Sequence, residues 1–329
     1  FRRILALRAT SDVKGDVDAT IGLAFTLSDL DSARTAMDVL AGCRRRTAGR
    51  LPPALAPQLD FAEGVARFTA GQLEASGTTF ARAAARAASA GDNRFCWQAL
   101  TWLGVTQARL GRRDSAVAAL QRGAAQWERL RFRHRDPEWR ERHGAQARLL
   151  YATLLPLLLD GRGDETPAGV RRAFEALQRF KARTLRERMA GTEGGETRPP
   201  VALETLQREV LREGELLLET FAAPETVLVF AVRRDTVRVA RLPGTRHGLL
   251  TRLRAWHRLL STPPDPRDAL ARESAAAVAA ALGRDLLGPV ADLLTPGGRL
   301  IVAPDGELNR VAFGALVPRK GGDPLGVTH

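Results

Sequence analysis

Two cysteines and five histidines are the residues of this 329-residue chain that could carry nucleophilic chemistry. A thiol attacks a carbonyl as its thiolate, which forms when an imidazole within hydrogen-bond reach takes the proton. Cys43 and Cys96 lie far apart in helical patterns, with no Cys-x-x-Cys motif and no histidine at metal-ligand spacing. The sequence therefore predicts two inert thiols in a reducing compartment, no metal site and no cofactor.

The histidines differ in whether they share a region of the sequence with these thiols. Those at positions 247 and 257 follow a stretch rich in glycine and proline, whereas those at 134 and 143 lie in the same helical region as Cys96. A pair formed by Cys96 and one of the latter two stays open on sequence alone. His329, the last residue, belongs to no catalytic motif.

A repeat of forty residues organises the first half of the chain, where both cysteines lie. Gly64, Gly104 and Gly144 are spaced by forty, and Phe80 and Leu120 stand in the same register. Each repeat is predicted to form two helices with a glycine at the turn between them. The first half is therefore expected to be an array of helical hairpins.

Small residues of the repeat are expected to face bulky ones, which lets paired helices approach closely. Gly104 and Ala116 would make room for Leu103 and Leu120. An earlier copy fits the pattern with slightly different spacing. Its equivalent positions are Gly22, Ala33 and Met37.

Leu103-Gly104 followed by Ala116-x3-Leu120 resembles the signature of tetratricopeptide repeats, which are stacked helical hairpins. The period departs from that family, since it is forty rather than about 34 residues. Gln107 also stands where an aromatic residue is usual. The resemblance implies a helical solenoid over residues 1–190 that binds a protein or peptide partner.

The net charge of +13 lies mostly in the first 190 residues. Its densest part, residues 129–148, is either a solvated basic helix face or a strip that binds nucleic-acid phosphates, and the solvated face is favoured. No run of eighteen uncharged apolar residues occurs, and residue 1 is not methionine. A cytoplasmic fragment of a longer protein, with no membrane association, is expected.

The pattern changes after residues 191–200, a Gly- and Pro-rich stretch that is predicted to be a linker. Strands, two helices and a further strand follow in residues 201–329, which predicts an α/β layered sheet. The predicted strands are 215–223, 226–232, 236–242 and 299–303, and the predicted helices are 247–260 and 267–287. The run at 300–303 is expected to be an interior strand, buried on both faces.

The stretch "GGRLIVAPDGELNRVAFGALVP", residues 297–318, resembles the strand-and-turn signature of CHAT domains, which are caspase-like and separase-like cysteine peptidase modules. Segments 180–191, 216–242 and 282–294 resemble other elements of that family in the same order. The signature residues are Pro304, Asp305, Gly306, Asn309 and Phe313. The resemblance implies that residues 201–329 are the N-terminal part of a caspase-like α/β sheet domain.

In that family the catalytic His and Cys come well after the signature, so the resemblance assigns no catalytic residue to this chain. It implies a fragment, inactive alone, of a cysteine endopeptidase regulated by its helical array. Two alternatives remain. One is a non-catalytic interaction scaffold with a CHAT-like domain, and the other is a nucleic-acid-responsive module that uses residues 129–148.

Overall fold

The computed structural model describes residues 12–133, 145–159, 166–181, 201–223, 226–242, 246–262, 265, 267–317 and 325–328. Helices dominate, and a four-stranded mixed sheet lies in the C-terminal part, so the predicted α plus α/β layout is confirmed. The chain divides into two compact units, residues 1–157 and 158–329. Each unit has its own core.

The first unit is built from successive helix pairs, each pair closed by a short turn. The helices are α1 (Val13–Asp29), α2 (Ala33–Arg46), α3 (Ala56–Thr69), α4 (Leu73–Ser89), α5 (Asn93–Arg109), α6 (Arg113–Arg133) and α7 (Arg148–Leu158). Asp12 and Asp92 cap α1 and α5, because their carboxylates accept backbone N–H bonds of the first turn. We call α1 to α6 the helical array.

The forty-residue repeat also governs the turn within each helix pair. Asp31, Gly71 and Gly111 stand forty residues apart, and their φ angles of 54°, 73° and 73° are all left-handed. A glycine adopts this conformation without a Cβ clash, whereas an L-residue is strained there. Asp31 therefore holds the turn position at a cost that the other two copies avoid.

Close helix contacts occur where the repeat places its glycines. A Cβ on Gly104 would lie 2.4 Å from Leu120 Cγ and 3.2 Å from the carbonyl oxygen of Ala116. A Cβ on Gly64 would lie 2.6 Å from Cε1 of Phe80. Gly144, the third glycine of the predicted register, lies outside the described residues.

The first copy of the repeat keeps the spacing of forty, so the shifted alignment through Gly22 and Met37 is replaced. Ala24, Ala36 and Leu40 occupy the equivalent positions, and all three are almost fully buried in one core cluster. Gly22 and Met37 are only half-buried. An alanine stands where the later copies have glycine, opposite a leucine that is smaller than Phe80.

The second unit contains one sheet with the strand order β3-β2-β1-β4. The strands are β1 (Glu215–Ala222), β2 (Val227–Val232), β3 (Val237–Arg241) and β4 (Arg299–Ala303). β1 pairs with β2 and β2 with β3 in antiparallel fashion, whereas β1 and β4 are parallel. The predicted hairpin connection at 233–235 joins β2 to β3, and Arg233 N donates to Thr236 O at 2.8 Å.

Helices cover both faces of this sheet. On one face α8 (Pro167–Lys181) packs its aromatic residues against the strands, with Phe174 6.0 Å from Phe230 and Phe180 5.5 Å from Phe221 between ring centroids. On the other face α9 (Arg246–Ser261) and α10 (Ala269–Leu287) pack against alternate residues of β1 and β2. The central strands are therefore buried on both sides.

The position of α8 differs from the sequence-based domain division. That division placed residues up to 190 in the array and the linker at 191–200, a segment outside the described residues. The structure places α8 in the second unit, because its apolar face covers the sheet. Its amphipathic pattern fits either surface, and only the tertiary contacts decide between them.

The prediction that residues 300–303 form an interior strand is wrong for the part of the chain that the structure describes. β4 is an edge strand there, since it pairs with β1 on one side only. Its residues from Leu300 to Ala303 are half-buried, because helices cover it less fully than they cover β2. The interior apolar run is β2.

Gly104→Leu should lower the free energy of unfolding by about 1 to 3 kcal/mol, because the new side chain has no room between α5 and α6. Thermal unfolding of the purified chain measures this effect. Gly42→Leu is the matched control, since a Cβ there meets only flexible arginine tips, the nearest at 3.3 Å. Equal unfolding temperatures for the two variants would contradict the packing assigned to Gly104.

Asp31→Gly should raise the free energy of unfolding by about 0.5 to 1 kcal/mol. Relief of left-handed strain outweighs the extra flexibility of glycine in the unfolded chain. Urea denaturation measures the change. Asp31→Ala keeps a Cβ at the same φ, so it should give no gain, and stabilisation by alanine equal to that by glycine would refute the explanation.

Candidate functional site

The turn after β4 joins the carboxyl ends of the two parallel strands. Asp305 is buried, and its Oδ2 accepts a hydrogen bond from the backbone N–H of Ala222 at 2.8 Å. The N–H of Asp305 in turn donates to Oγ1 of Thr220 at 3.0 Å. This reciprocal pair of bonds fixes the exit of β4 against the end of β1.

The residues after Asp305 complete the turn. Gly306 has a φ of 57°, and its carbonyl oxygen accepts a bond from Nδ2 of Asn309 at 2.8 Å. Phe313, the last of the signature residues, is half-buried against the core. Leu316 is the fully buried residue of that segment. The signature residues thus shape the turn, while Leu316 anchors the segment more deeply.

Lys181, the last described residue of α8, approaches the same end of the sheet. Its Nζ donates to the carbonyl oxygen of Thr220 at 3.0 Å and to that of Ala303 at 2.7 Å, and it lies 3.6 Å from Oε1 of Glu219. One ammonium therefore binds the last part of β1 and the last residue of β4 together. Gln178 of the same helix donates to the other oxygen of Glu219.

Burial raises the pKa of the Glu219 carboxyl above its ordinary value, and the nearby Asp305 raises it further. The charge of Lys181 and the hydrogen bond from Gln178 oppose this shift without cancelling it. Desolvation dominates because the side chain of Glu219 is only 6% exposed. The cluster of Lys181, Glu219 and Asp305 positions the strand ends, and no cysteine or histidine stands among these residues.

The two thiols lie in the array and are poorly suited to attack a carbonyl. Cys43 and Cys96 are both buried, and burial raises the pKa of each thiol. The histidines at 134 and 143, the partners left open for Cys96, lie outside the described residues. His247 and His257 are exposed on α9. The described residues therefore bring no thiol and imidazole together.

The array holds a cluster of charges that the sequence analysis did not identify. Asp60 on α3 is completely buried, and its carboxylate receives Arg44 at 2.6 Å, Arg82 at 3.1 Å and Arg86 at 2.9 Å. Glu63, one turn later, accepts from Arg44 and Arg82, and also from Arg67. We call these six residues the Asp60 cluster.

Two members of the Asp60 cluster, Arg44 and Arg86, lie on the wall of an open groove of about 820 Å³. The groove is lined by Arg44, by residues within the segment 47–56 after α2, and by residues within 85–90 at the end of α4, including Arg86. Most of its other lining residues are alanine, leucine, proline or glycine. An apolar floor with two fixed guanidinium groups is the chemistry of a ligand site.

A sequence signal for this cluster exists, although it is faint. Asp60 is the charged residue among the buried positions 59–62 of α3. A buried carboxylate among apolar residues needs hydrogen-bonding or cationic partners. Arg82 and Arg86 stand four apart on the next helix, so both point to one side of it. Arg44 comes from a third helix, which no periodicity connects to Asp60.

Comparison with protein-family models and with curated proteins found no match to this chain. No helix within the described residues is both long and apolar enough to cross a membrane. In the same part of the chain, no group of three or more His, Cys, Asp or Glu residues is arranged to hold a metal ion.

Glu219→Gln should stabilise the second unit relative to the parent chain as pH rises above the ordinary glutamate pKa. The pKa of Glu219 is higher in the folded protein than in the unfolded chain. Its contribution to the free energy of unfolding is therefore fully present below the pKa of the unfolded chain, and it is lost as pH rises through the pKa of the folded protein. Glutamine avoids this loss because it carries no charge, and it still accepts a bond from Gln178.

Hydrogen-exchange mass spectrometry of β1 in urea, from about pH 4.5 to about pH 7.5, reads this difference locally. Glu213→Gln removes an exposed carboxylate just before β1 and serves as the control. An advantage of glutamine at 219 that shrinks with rising pH would show that burial does not control the titration.

Proposed function

We propose that this chain is part of a CHAT-type cysteine endopeptidase, in which a tetratricopeptide-like array binds a protein or peptide partner and the second unit begins a caspase-like sheet domain. The array supplies a groove with fixed positive groups, which is a site for recognition rather than for bond breaking. The catalytic His and Cys implied by the family resemblance have no counterpart assigned in these 329 residues.

The observation that supports this proposal most is the location of the signature turn. Residues 304–309 join the carboxyl ends of two parallel strands, which is the edge where open α/β sheets place their functional residues. Lys181 ties the preceding helix to that same edge. Changes transmitted through α8 would therefore reach the strand ends directly.

The state of the two thiols fits the scaffold alternative and the peptidase proposal equally. Both thiols are buried with raised pKa values, and neither function gives them a catalytic role. The nucleic-acid alternative has less support. Most of the strip 129–148 lies outside the described residues, and Arg131 within it is buried rather than presented to solvent.

A cleavage assay tests the proposal with two proteins. One is the 329-residue chain, and the other is the longer protein of which the proposal makes it a part. Each is incubated with a mixed peptide library and a thiol-reactive peptide probe. We expect neither cleavage nor specific labelling by the short chain, and both by the longer one. Cleavage by the short chain that disappears in Cys96→Ala would overturn the proposal, and cleavage by neither protein would favour the scaffold.

A further inference from the structure

The groove beside the Asp60 cluster has a chemistry that identifies the partner more closely. We propose that it binds an acidic peptide segment of a partner protein, with a carboxylate on Arg44 and Arg86 and a neighbouring apolar side chain on the groove floor. This inference rests on the proposed function, since it specifies the partner of the array.

The charge of the cluster favours an acidic ligand. Four arginines share two carboxylates, so the Asp60 cluster has two positive charges in excess, and its members Arg44 and Arg86 line the groove. Arg44 and Arg86 have side chains 31% and 47% exposed, so solvent reaches them. Asp60 is fully buried behind them and cannot be reached by a ligand. The groove therefore presents guanidinium groups and not the carboxylate that holds them.

The two guanidinium groups also keep donors for a ligand. Arg44 bonds to both carboxylates of the cluster through Nη2, and Arg86 bonds to Asp60 through Nη1. Within the described residues, Nη1 and Nε of Arg44 and Nη2 and Nε of Arg86 have no hydrogen-bond partner. A ligand carboxylate can therefore bind without breaking the bonds to Asp60, and the arginines are held in place before it arrives.

The two hydroxyl groups that line the groove are already hydrogen-bonded within the protein. Oγ1 of Thr47 donates to the carbonyl oxygen of Cys43 at 2.9 Å, and Oγ of Ser89 donates to that of Ala85 at 3.0 Å. The last carbonyls of α4 accept backbone N–H bonds from residues 90–92. Charge recognition thus falls to the arginines, and the alanine, leucine and proline surface between them suits an aliphatic side chain.

A peptide fits this surface better than a nucleic acid does. A phosphate backbone carries a charge at each nucleotide, and it is bound by runs of basic residues without acidic neighbours. Glu63 is 17% exposed and lies 2.9 Å from Arg44, so it would repel a continuous polyanion. One or two carboxylates set among apolar residues match two excess charges on an apolar floor.

Fluorescence anisotropy with the whole 329-residue chain tests the proposal. The probe is a labelled decapeptide of alternating Glu and Leu, and its matched control is the Gln and Leu decapeptide. We expect saturable binding of the first and weaker binding of the second by at least about tenfold, because charge-assisted hydrogen bonds are lost. Equal affinities for the two peptides would overturn the proposal.

Three variants locate the binding site. Arg86→Gln should lower the affinity for the Glu-Leu peptide by about tenfold. The control is Arg112→Gln, which removes the same charge from an exposed ion pair with Glu74 and should change this affinity by less than about twofold. Ala85→Glu adds a carboxylate to the groove wall at an exposed helix position and leaves every arginine in place. It should abolish binding without affecting the fold, which circular dichroism verifies.

Binding that survives Ala85→Glu would place the peptide elsewhere and refute this groove as its site. Tighter binding of a ten-residue oligothymidylate than of the Glu-Leu peptide would refute the choice of a peptide. The titration involves no peptide cleavage, so its result is independent of the cleavage assay. Binding of the Gln-Leu peptide that is equal for the parent chain and all three variants would refute recognition of acidic peptides by the arginine-lined groove, and would leave the proposed function to be decided by the cleavage assay.

Discussion

The space between paired helices at Gly64 is the constraint on which the array depends. Because Phe80 lies where a side chain on Gly64 would be, α3 and α4 pack too closely for water to enter. Asp60 stands one turn earlier on α3 and is buried with this contact. A buried carboxylate must be paired, so three arginines from α2 and α4 converge on it. Close packing thus leads to the charged wall of the groove.

Burial of charge also organises the second unit, although the partners are of another kind. Asp305 is satisfied mainly by a backbone N–H of β1, and Glu219 by side chains of α8. The first arrangement fixes a turn within the sheet, and the second joins a helix to the sheet. Together they define one edge of the sheet at the ends of β1 and β4.

Periodicity predicted the helix pairs, the contact at Gly104 and the strands β1 to β3, because local spacing alone determines these features. It could not assign α8, since an amphipathic helix fits any apolar surface. It also misplaced β4, because four apolar residues read alike in a central strand and in a half-covered edge strand. The Asp60 cluster was missed for a related reason. Its members come from three helices, and their encounter depends on packing rather than on spacing.

Lys181 gives the second unit a mechanical property. The ammonium is bound to the last part of β1 and to the end of β4, and the chain continues from this residue toward position 201. Tension applied to the chain just after α8 would therefore reach both parallel strands at once through this ammonium. The strands would bear the load as a pair, rather than being peeled from the sheet one after the other.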